Sequence, residues 1–298
     1  MGTFSIKDLE QLSGIKAHTL RIWEQRYDLL KPERTLTNIR SYCDEDLKYI
    51  LKIALLNRNG FKISKIAAMS PEEVTNHFSC LNDSECQHEM FISLLTTAMI
   101  EMDELQFEKI MSNCMEQNGF ERTMIDIIYP FLEKIGVLWL SGSVTPAQEH
   151  FITNLIRRKL MVAIDGETSK VHESGKSFLL FLPEGELHEL GLLFAEYLLR
   201  KRGQKVTNLG MSVPLKDVIS ITEFKKPDVI FGIMTSYPKN RKLAAYLKSL
   251  NDDVSASQII VTGYQAQRGR HMSEELPKIK FLSEVKELFS CGVIPEHA

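Results

Sequence analysis

The sequence predicts a multidomain α and α/β protein: a winged helix-turn-helix head, a four-helix bundle, and a doubly wound parallel sheet of Rossmann-like type. Three observations carry this. Apolar residues recur at helical spacing from about residue 88 to 165. Beyond residue 177 short, continuous apolar runs alternate with helical patterns, as parallel strands covered on both faces require. Ahead of both, residues 3–70 hold short helical patterns broken by Gly14, Pro32 and Gly60. The expected domains are residues 1–72, 80–166 and 175–292.

In the head, Ile6 to Leu12 makes one short helix and Gly14 supplies the turn. His18 to Tyr27 makes a second, amphipathic helix. Leu9, Leu12, Ile15, Leu20 and Trp23 form their shared core, which leaves Lys16, His18, Thr19, Arg21 and Arg26 outward or flanking. A helix, a tight turn and a polar-faced second helix is the arrangement that enters a DNA major groove. The alternation from Leu30 to Tyr42 suits a small β-hairpin wing, bringing Arg34, Arg40 and Tyr42 beside that helix. Asp44 is expected to cap the next helix, and Ser70 with Pro71 starts another.

Four helices follow. Phe91, Leu94, Leu95 and Ala98 begin one; Phe107, Ile110, Met111 and Cys114 mark the second. Ile125, Ile128, Phe131, Leu132 and Ile135 mark the third, and Ala147 to Ile164 the fourth, with short polar turns between them. Met99, Met102, Met111 and Met115 fall at helical spacing and are expected in the core. Residues 165–176 are polar and read as a linker. Strands are expected at Ser177–Pro183, Lys205–Leu209, Asp228–Met234 and Gln258–Thr262, with a helix between each and the next.

The chain has 298 residues, 44% hydrophobic and 25% charged, with 16 Gly and 10 Pro. This excludes fibrous and low-complexity classes. No apolar run approaches the roughly 20 residues of a membrane span, and the first residues lack a secretory apolar region. Five scattered cysteines (Cys43, Cys80, Cys86, Cys114, Cys291) suit reduced thiols, so a cytoplasmic protein is expected. Net charge is −3, but residues 1–70 carry 12 Lys and Arg against 8 Asp and Glu, leaving 24 against 31 in the remainder. Any attraction to phosphate therefore belongs to the head. Cys80-x5-Cys86-x-His88 lacks a zinc knuckle and is taken as chance. The chain has no Gly-x-Ser-x-Gly, P-loop or Gly-x-Gly-x-x-Gly, so no enzyme is expected.

Two further patterns carry chemistry. Trp139 and Glu149-His150 bracket a turn between two bundle helices, pairing a ring donor, a carboxylate and an imidazole. Strand one runs into Glu184-Gly185-Glu186-Leu187-His188-Glu189-Leu190-Gly191. This places His188 at the carboxyl edge of a parallel sheet, where open α/β folds bind ligands. A neutral imidazole there can bind a transition metal, and Glu186 can hold its other ring nitrogen. Gly191 lets the following helix approach closely.

The head resembles the MerR family of winged-helix transcription factors in Leu20-Arg21-Ile22-Trp23-Glu24-Gln25-Arg26-Tyr27, Arg40-Ser41-Tyr42 and Asp44-Glu45-Asp46-Leu47. The resemblance implies that Arg21 and Arg34 or Arg40 touch phosphates or base edges, with Trp23 and Tyr42 buttressing the wing. The rest resembles the cobalamin-binding regulators of that class, the CarH/LitR photoreceptor group. In that comparison Glu186-x-His188-x-x-Gly191 matches the motif whose His ligates cobalt, and Trp139, Glu149 and His150 match the motif covering the cofactor's upper face. Leu209-Gly210-Met211-Ser212-Val213-Pro214 matches the segment after strand two. The implied cofactor is adenosylcobalamin or methylcobalamin, with Ser236 and Gly263 lining the pocket for its nucleotide tail.

Three positions depart from the group. Leu140 stands where light-sensing members carry a second His, so a light-driven bis-histidine adduct is not expected. Met234 replaces the first Ser of a Ser-x-Thr/Leu segment, and Thr262 the first of a Gly-Gly pair, so a narrowed tail pocket is expected. The expected function is a DNA-binding regulator, a repressor, whose C-terminal half senses a cobalamin and couples it to oligomerisation and operator binding. Its partners would be double-stranded operator DNA and copies of itself, as dimer or tetramer, and no membrane. The alternative is a cofactor-independent regulator of the same head type, whose C-terminal half is a vestigial module for a regulatory protein partner.

Overall fold

The computed structural model describes residues 4–34, 38–79, 84–140, 143–168, 175–255 and 258–290, so Thr35–Thr37 of the wing, Cys80, Ser141, Gly142 and Cys291 lie outside them. The chain divides into two compact units, Met1–Leu155 and Ile156–Ala298.

In the first unit, α1 (Ile6–Ser13) starts at a reciprocal cap between Ser5 and Asp8 and ends at Gly14, φ 74°. Helix α2 (Ala17–Tyr27) follows at once. Strands β1 (Glu33–Arg34) and β2 (Arg40–Ser41) pair antiparallel, Glu33 opposite Ser41, as the expected wing. Helix α3 (Asp44–Arg58) begins one residue earlier than expected. Cys43, not Asp44, is its cap, because Asp46 reaches back to the Cys43 N–H at 3.0 Å. After the short α4 (Ile63–Ile66), α5 (Pro71–Ser79) starts as predicted: Ser70 and Glu73 exchange bonds of 2.7 and 3.2 Å.

The bundle comprises α6 (Ser84–Glu101), α7 (Glu104–Thr123), α8 (Tyr129–Leu140) and the first half of α9 (Pro146–Glu167). Its second and third helices are not separated by a polar turn. They bend at Gly119, φ 74° and ψ 163°, and run on through a π-helical stretch, Met124–Ile128. Met99 and Met111 are core, but Met102 is exposed, because the chain turns there with φ 53° between α6 and α7. Helix α9 continues through Asp165, Gly166 and Glu167, so the first three residues of the expected linker are helical.

Arg58 ties the head to the bundle: one guanidinium nitrogen donates to the Ser13 carbonyl at 3.0 Å, another to Glu89 of α6 at 3.1 Å. Lys48 and Glu101 form a second ion pair, and Ser143 of the α8–α9 turn donates to Asp8 of α1 at 2.5 Å.

The second unit is a five-stranded parallel sheet of β3 (Ser177–Phe181), β4 (Lys205–Asn208), β5 (Val229–Ile233), β6 (Gln258–Thr262) and β7 (Ile279–Phe281), in the order β4-β3-β5-β6-β7. The apolar pattern does not predict β7, because three residues are too few to show a periodicity. The strands alternate α10 (Leu190–Lys201), α11 (Leu215–Lys225), α12 (Asn240–Asp253), α13 (Tyr264–Gly269) and α14 (Glu287–Ser290). Successive residues of β3 serve opposite faces. Leu179 and Phe181 pack with Val218, Leu243, Leu247 and Ala266 of α11–α13, while Phe178 and Leu180 pack with Leu192, Ala195, Leu199 and Leu288 of α10 and α14. Each such buried side chain contributes roughly 2 kcal/mol. Reversal of strand order at β3 and β5 puts a ligand crevice at their carboxyl ends.

Gly263, φ 99°, begins the turn into α13 against β5, and an added Cβ would fall 2.7 Å from the Met234 carbonyl oxygen. Gly263→Ala is therefore expected to destabilise this unit by about 2 kcal/mol or more, measured as a lowered urea midpoint of the full chain.

Candidate functional sites

The head presents a cationic face. Lys16, His18, Arg21, Arg26 and Arg34 are exposed, and Thr19 is half-buried. They are held from behind by Leu20 and Trp23, which face the core. Glu10 accepts the Ala17 N–H at 2.9 Å and pairs with Lys16 at 3.2 Å, securing the turn between α1 and α2. Arg34 donates to Asn38 across the wing at 2.7 Å.

Two residues placed with this set are used otherwise. Arg40 turns inward, its Nε 3.0 Å from Glu24 of α2, and both side chains are largely buried. Tyr42 is 1% exposed and its hydroxyl donates to the same carboxylate at 3.3 Å. Burial first, and then the Glu24 charge, push the Tyr42 phenol up to about 12. Arg40 and Tyr42 thus lock the wing to α2 rather than face outward. Glu24 is the functional residue that sequence reasoning passed over. Its signal was a carboxylate beside buried Trp23, with an arginine and a tyrosine at the wing end to receive it.

In the turn between α8 and α9, Trp139 is exposed in the last turn of α8. His150 is exposed and Glu149 half-buried in the first turns of α9. Thr145 and Gln148 cap α9 reciprocally at 3.0 and 3.3 Å, and Gln148 donates to the Ile100 carbonyl at 3.0 Å, fixing where α9 begins. The side chain of Leu140 lies outside the described residues.

In the sheet unit, the loop after β3 turns at Gly185, φ 87°, and drives Glu186 inward until its side chain is fully buried. Oε2 accepts the backbone N–H groups of Thr235, Ser236 and Tyr237, in the loop after β5, at 2.9, 2.5 and 3.1 Å. Oε1 accepts those of Leu187 and His188 at 3.1 and 3.2 Å, and the Nδ1 of the His188 ring. Burial alone would raise this carboxyl; the imidazole and the backbone donors override it and hold it at about 2. An ionised carboxylate only accepts, so Nδ1 carries the proton and Nε2 is the nitrogen with a lone pair for a metal. The imidazole itself is exposed. This is the carboxylate–histidine arrangement that orients metal-ligating imidazoles.

The structure brings Glu186, His188 and Ser236 together through these bonds. Gly191, in the first turn of α10, leaves room for Ile233 of β5: an added Cβ would meet its Cδ1 at 3.1 Å. A groove of about 1240 Å³ opens beside this loop, lined by Ser236 but not by Met234, Thr262 or Gly263. Met234 and Thr262 are buried instead, Met234 within the sheet core, so neither narrows the groove. Among the described residues no cluster of three or more His, Cys, Asp or Glu could hold a metal. No described helix is long and apolar enough to cross a membrane.

The MerR HTH regulatory protein family matches residues 4–73, and the B12 binding domain family matches residues 92–163. The chain is 28% identical over 240 residues to the transcriptional repressor CarH of Myxococcus xanthus, covering 78% of this chain and 79% of that one. It is 27% identical over 230 residues to the repressor CarA of the same organism, covering 76% and 75%. Its fold is similar to that of the Methanosarcina barkeri monomethylamine corrinoid protein, with a TM-score of 0.53 at 14% identity, over 64% of this chain and 91% of that one.

Two outcomes test these sites. Glu24→Ala and Arg40→Ala should each lower stability by about 2 kcal/mol, while the double variant is no less stable than either single one; additive losses in thermal unfolding would refute the coupling. Glu186 should contribute of order 3 kcal/mol above its ordinary carboxyl value of 4.5, lost progressively as pH falls from there towards 2, because the unfolded chain takes up a proton that the folded loop refuses. Urea midpoints of wild type and Glu186→Gln should therefore converge across that window. With a MerR helix-turn-helix domain followed by a B12 binding domain, the chain is a homologue of the CarH and CarA repressors.

Proposed function

We propose that this protein is a DNA-binding transcriptional regulator, a repressor, whose C-terminal half senses a cobalamin and couples it to assembly and operator binding. The observation that carries the reading is the buried Glu186 carboxylate clamping the Nδ1 of an exposed His188. That donor set fits the cobalt of a corrinoid: one neutral imidazole oriented through its far nitrogen, on a loop at the carboxyl edge of a parallel sheet. When bound, the corrinoid supplies a cobalt centre with an exchangeable upper ligand. His188 would hold the metal, Glu186 would fix the imidazole tautomer, and Ser236 would border the nucleotide tail, while Gly263 keeps the turn into α13 close against Met234. Trp139, Glu149 and His150 would cover the upper face.

The head would read operator DNA with α2 and the wing, using Lys16, His18, Thr19, Arg21, Arg26 and Arg34, while Arg40 and Tyr42 hold the wing in place. Dimers or tetramers would place paired heads on symmetric half-sites. The bond from Ser143 to Asp8 supports a physical connection from the turn carrying the Trp139–His150 motif to α1 of the head. Corrinoid binding would then shift the population between assemblies of different DNA affinity. The alternative is a cofactor-independent regulator with a protein partner, suggested by the departure of Met234 and Thr262 from the corrinoid-binding pattern, although neither residue lines the groove.

The deciding experiment is the absorbance spectrum of purified protein incubated in the dark with adenosylcobalamin or methylcobalamin and then desalted. A retained corrinoid spectrum, lost in His188→Ala, is expected; a colourless protein that still binds its promoter would leave the cofactor-independent reading. Arg21→Ala should weaken DNA binding and reduce the slope of log affinity against log salt by about 1. An unchanged slope would remove Arg21 from the phosphate contacts.

A further inference from the structure

The groove beside the Glu186 loop has an uneven chemical lining. At its mouth Lys239 sits over the Tyr237 ring at 5.5 Å and Arg268 over the Tyr264 ring at 5.9 Å. Lys242 adds a third cation, and Glu184 is the one acid among the lining residues. Two further lining residues carry buried polar atoms, the Tyr246 hydroxyl and the Gln265 Oε1, that find no hydrogen-bond partner among the described residues. Gln265 is 9% exposed, and its backbone is fixed by a 2.8 Å bond from its N–H to the Met234 carbonyl. A native site does not leave such groups unanswered without a reason. Cations at the mouth suit a phosphodiester; an acceptor and a hydroxyl within suit a base with both donors and acceptors.

We propose that this groove selects corrinoids by the base of their nucleotide tail, taking a purine such as adenine in preference to dimethylbenzimidazole. The inference rests on the corrinoid reading above and deepens it. A glycosylated dimethylbenzimidazole has one ring acceptor and no N–H donor. It can accept from Tyr246 but leaves the Gln265 oxygen unanswered. Adenine offers ring acceptors for the hydroxyl and an exocyclic amino group for the carbonyl oxygen. A site built around a hydrogen bond discriminates strongly against a ligand that lacks the partner group. One unanswered buried acceptor corresponds to about a tenfold loss in affinity.

The test is equilibrium dialysis of the full-length protein, read by corrin absorbance, with the adenine-tailed corrinoid, cobalamin and tailless cobinamide. The expected order is adenine-tailed tighter than cobalamin by about tenfold, with cobinamide weakest. Gln265→Leu should erase the difference between the two tailed corrinoids, and Tyr246→Phe should weaken both. Equal affinities of wild type for the two would overturn the tail selection while leaving the sensor reading standing. Failure to bind any of the three would overturn both. Competition by adenosine monophosphate as strong as by the adenine-tailed corrinoid would assign the groove to a free nucleotide and overturn the proposal. The wild-type comparison needs no variant, so a substitution that fails to fold does not blunt the test.

Discussion

One buried carboxylate organises the functional end of the sheet. Glu186 collects five backbone N–H groups and an imidazole, and in doing so joins the loop after β3 to the loop after β5. Those strands flank the point where strand order reverses, so the loops would otherwise diverge. A buried charge is tolerated only when it is so completely answered. Gly185 supplies the turn that drives it inward; a Cβ at that position would press on the Tyr237 ring at 3.1 Å. The orientation of His188 is thus set by backbone groups fifty residues away in the chain. The same bonds shape one wall of the groove, since Ser236 and Tyr237 both anchor Glu186 and line that space.

The head repeats the device with a different outcome. There Glu24 receives Arg40 and Tyr42, which takes an arginine off the cationic face and fixes the angle of the wing. In each unit a glutamate restrains a loop that carries exposed groups, His188 in one and Arg34 in the other. Arg58 with Glu89 and Lys48 with Glu101 act at longer range in the first unit. Arg58 bridges the α1–α2 turn and α6, where a Cβ on Gly14 would come within 2.8 Å of its guanidinium. The head is therefore braced against the bundle rather than tethered to it, as a shared unit through residue 155 reflects. Such bracing is what a change in the α8–α9 turn needs to reach α1 through Ser143 and Asp8.

Domain order and the type of nearly every element were legible along the chain, because hydrophobic period and capping residues are local. Ser70 with Glu73, Gly14 after α1, and the continuous run of β3 are of this kind. So was the pairing of Glu186 with His188, two residues apart. Tertiary structure alone decided what depends on distant partners. Arg40 and Tyr42 looked like ligands for DNA until Glu24 turned them inward. Met234 and Thr262 looked like obstructions until packing buried them away from the groove. Strand β7 has too few residues to declare itself and exists because β6 offers it an edge. The unanswered Tyr246 hydroxyl and Gln265 carbonyl oxygen show no signal in the sequence, since whether a polar atom has a partner is a property of the folded neighbourhood.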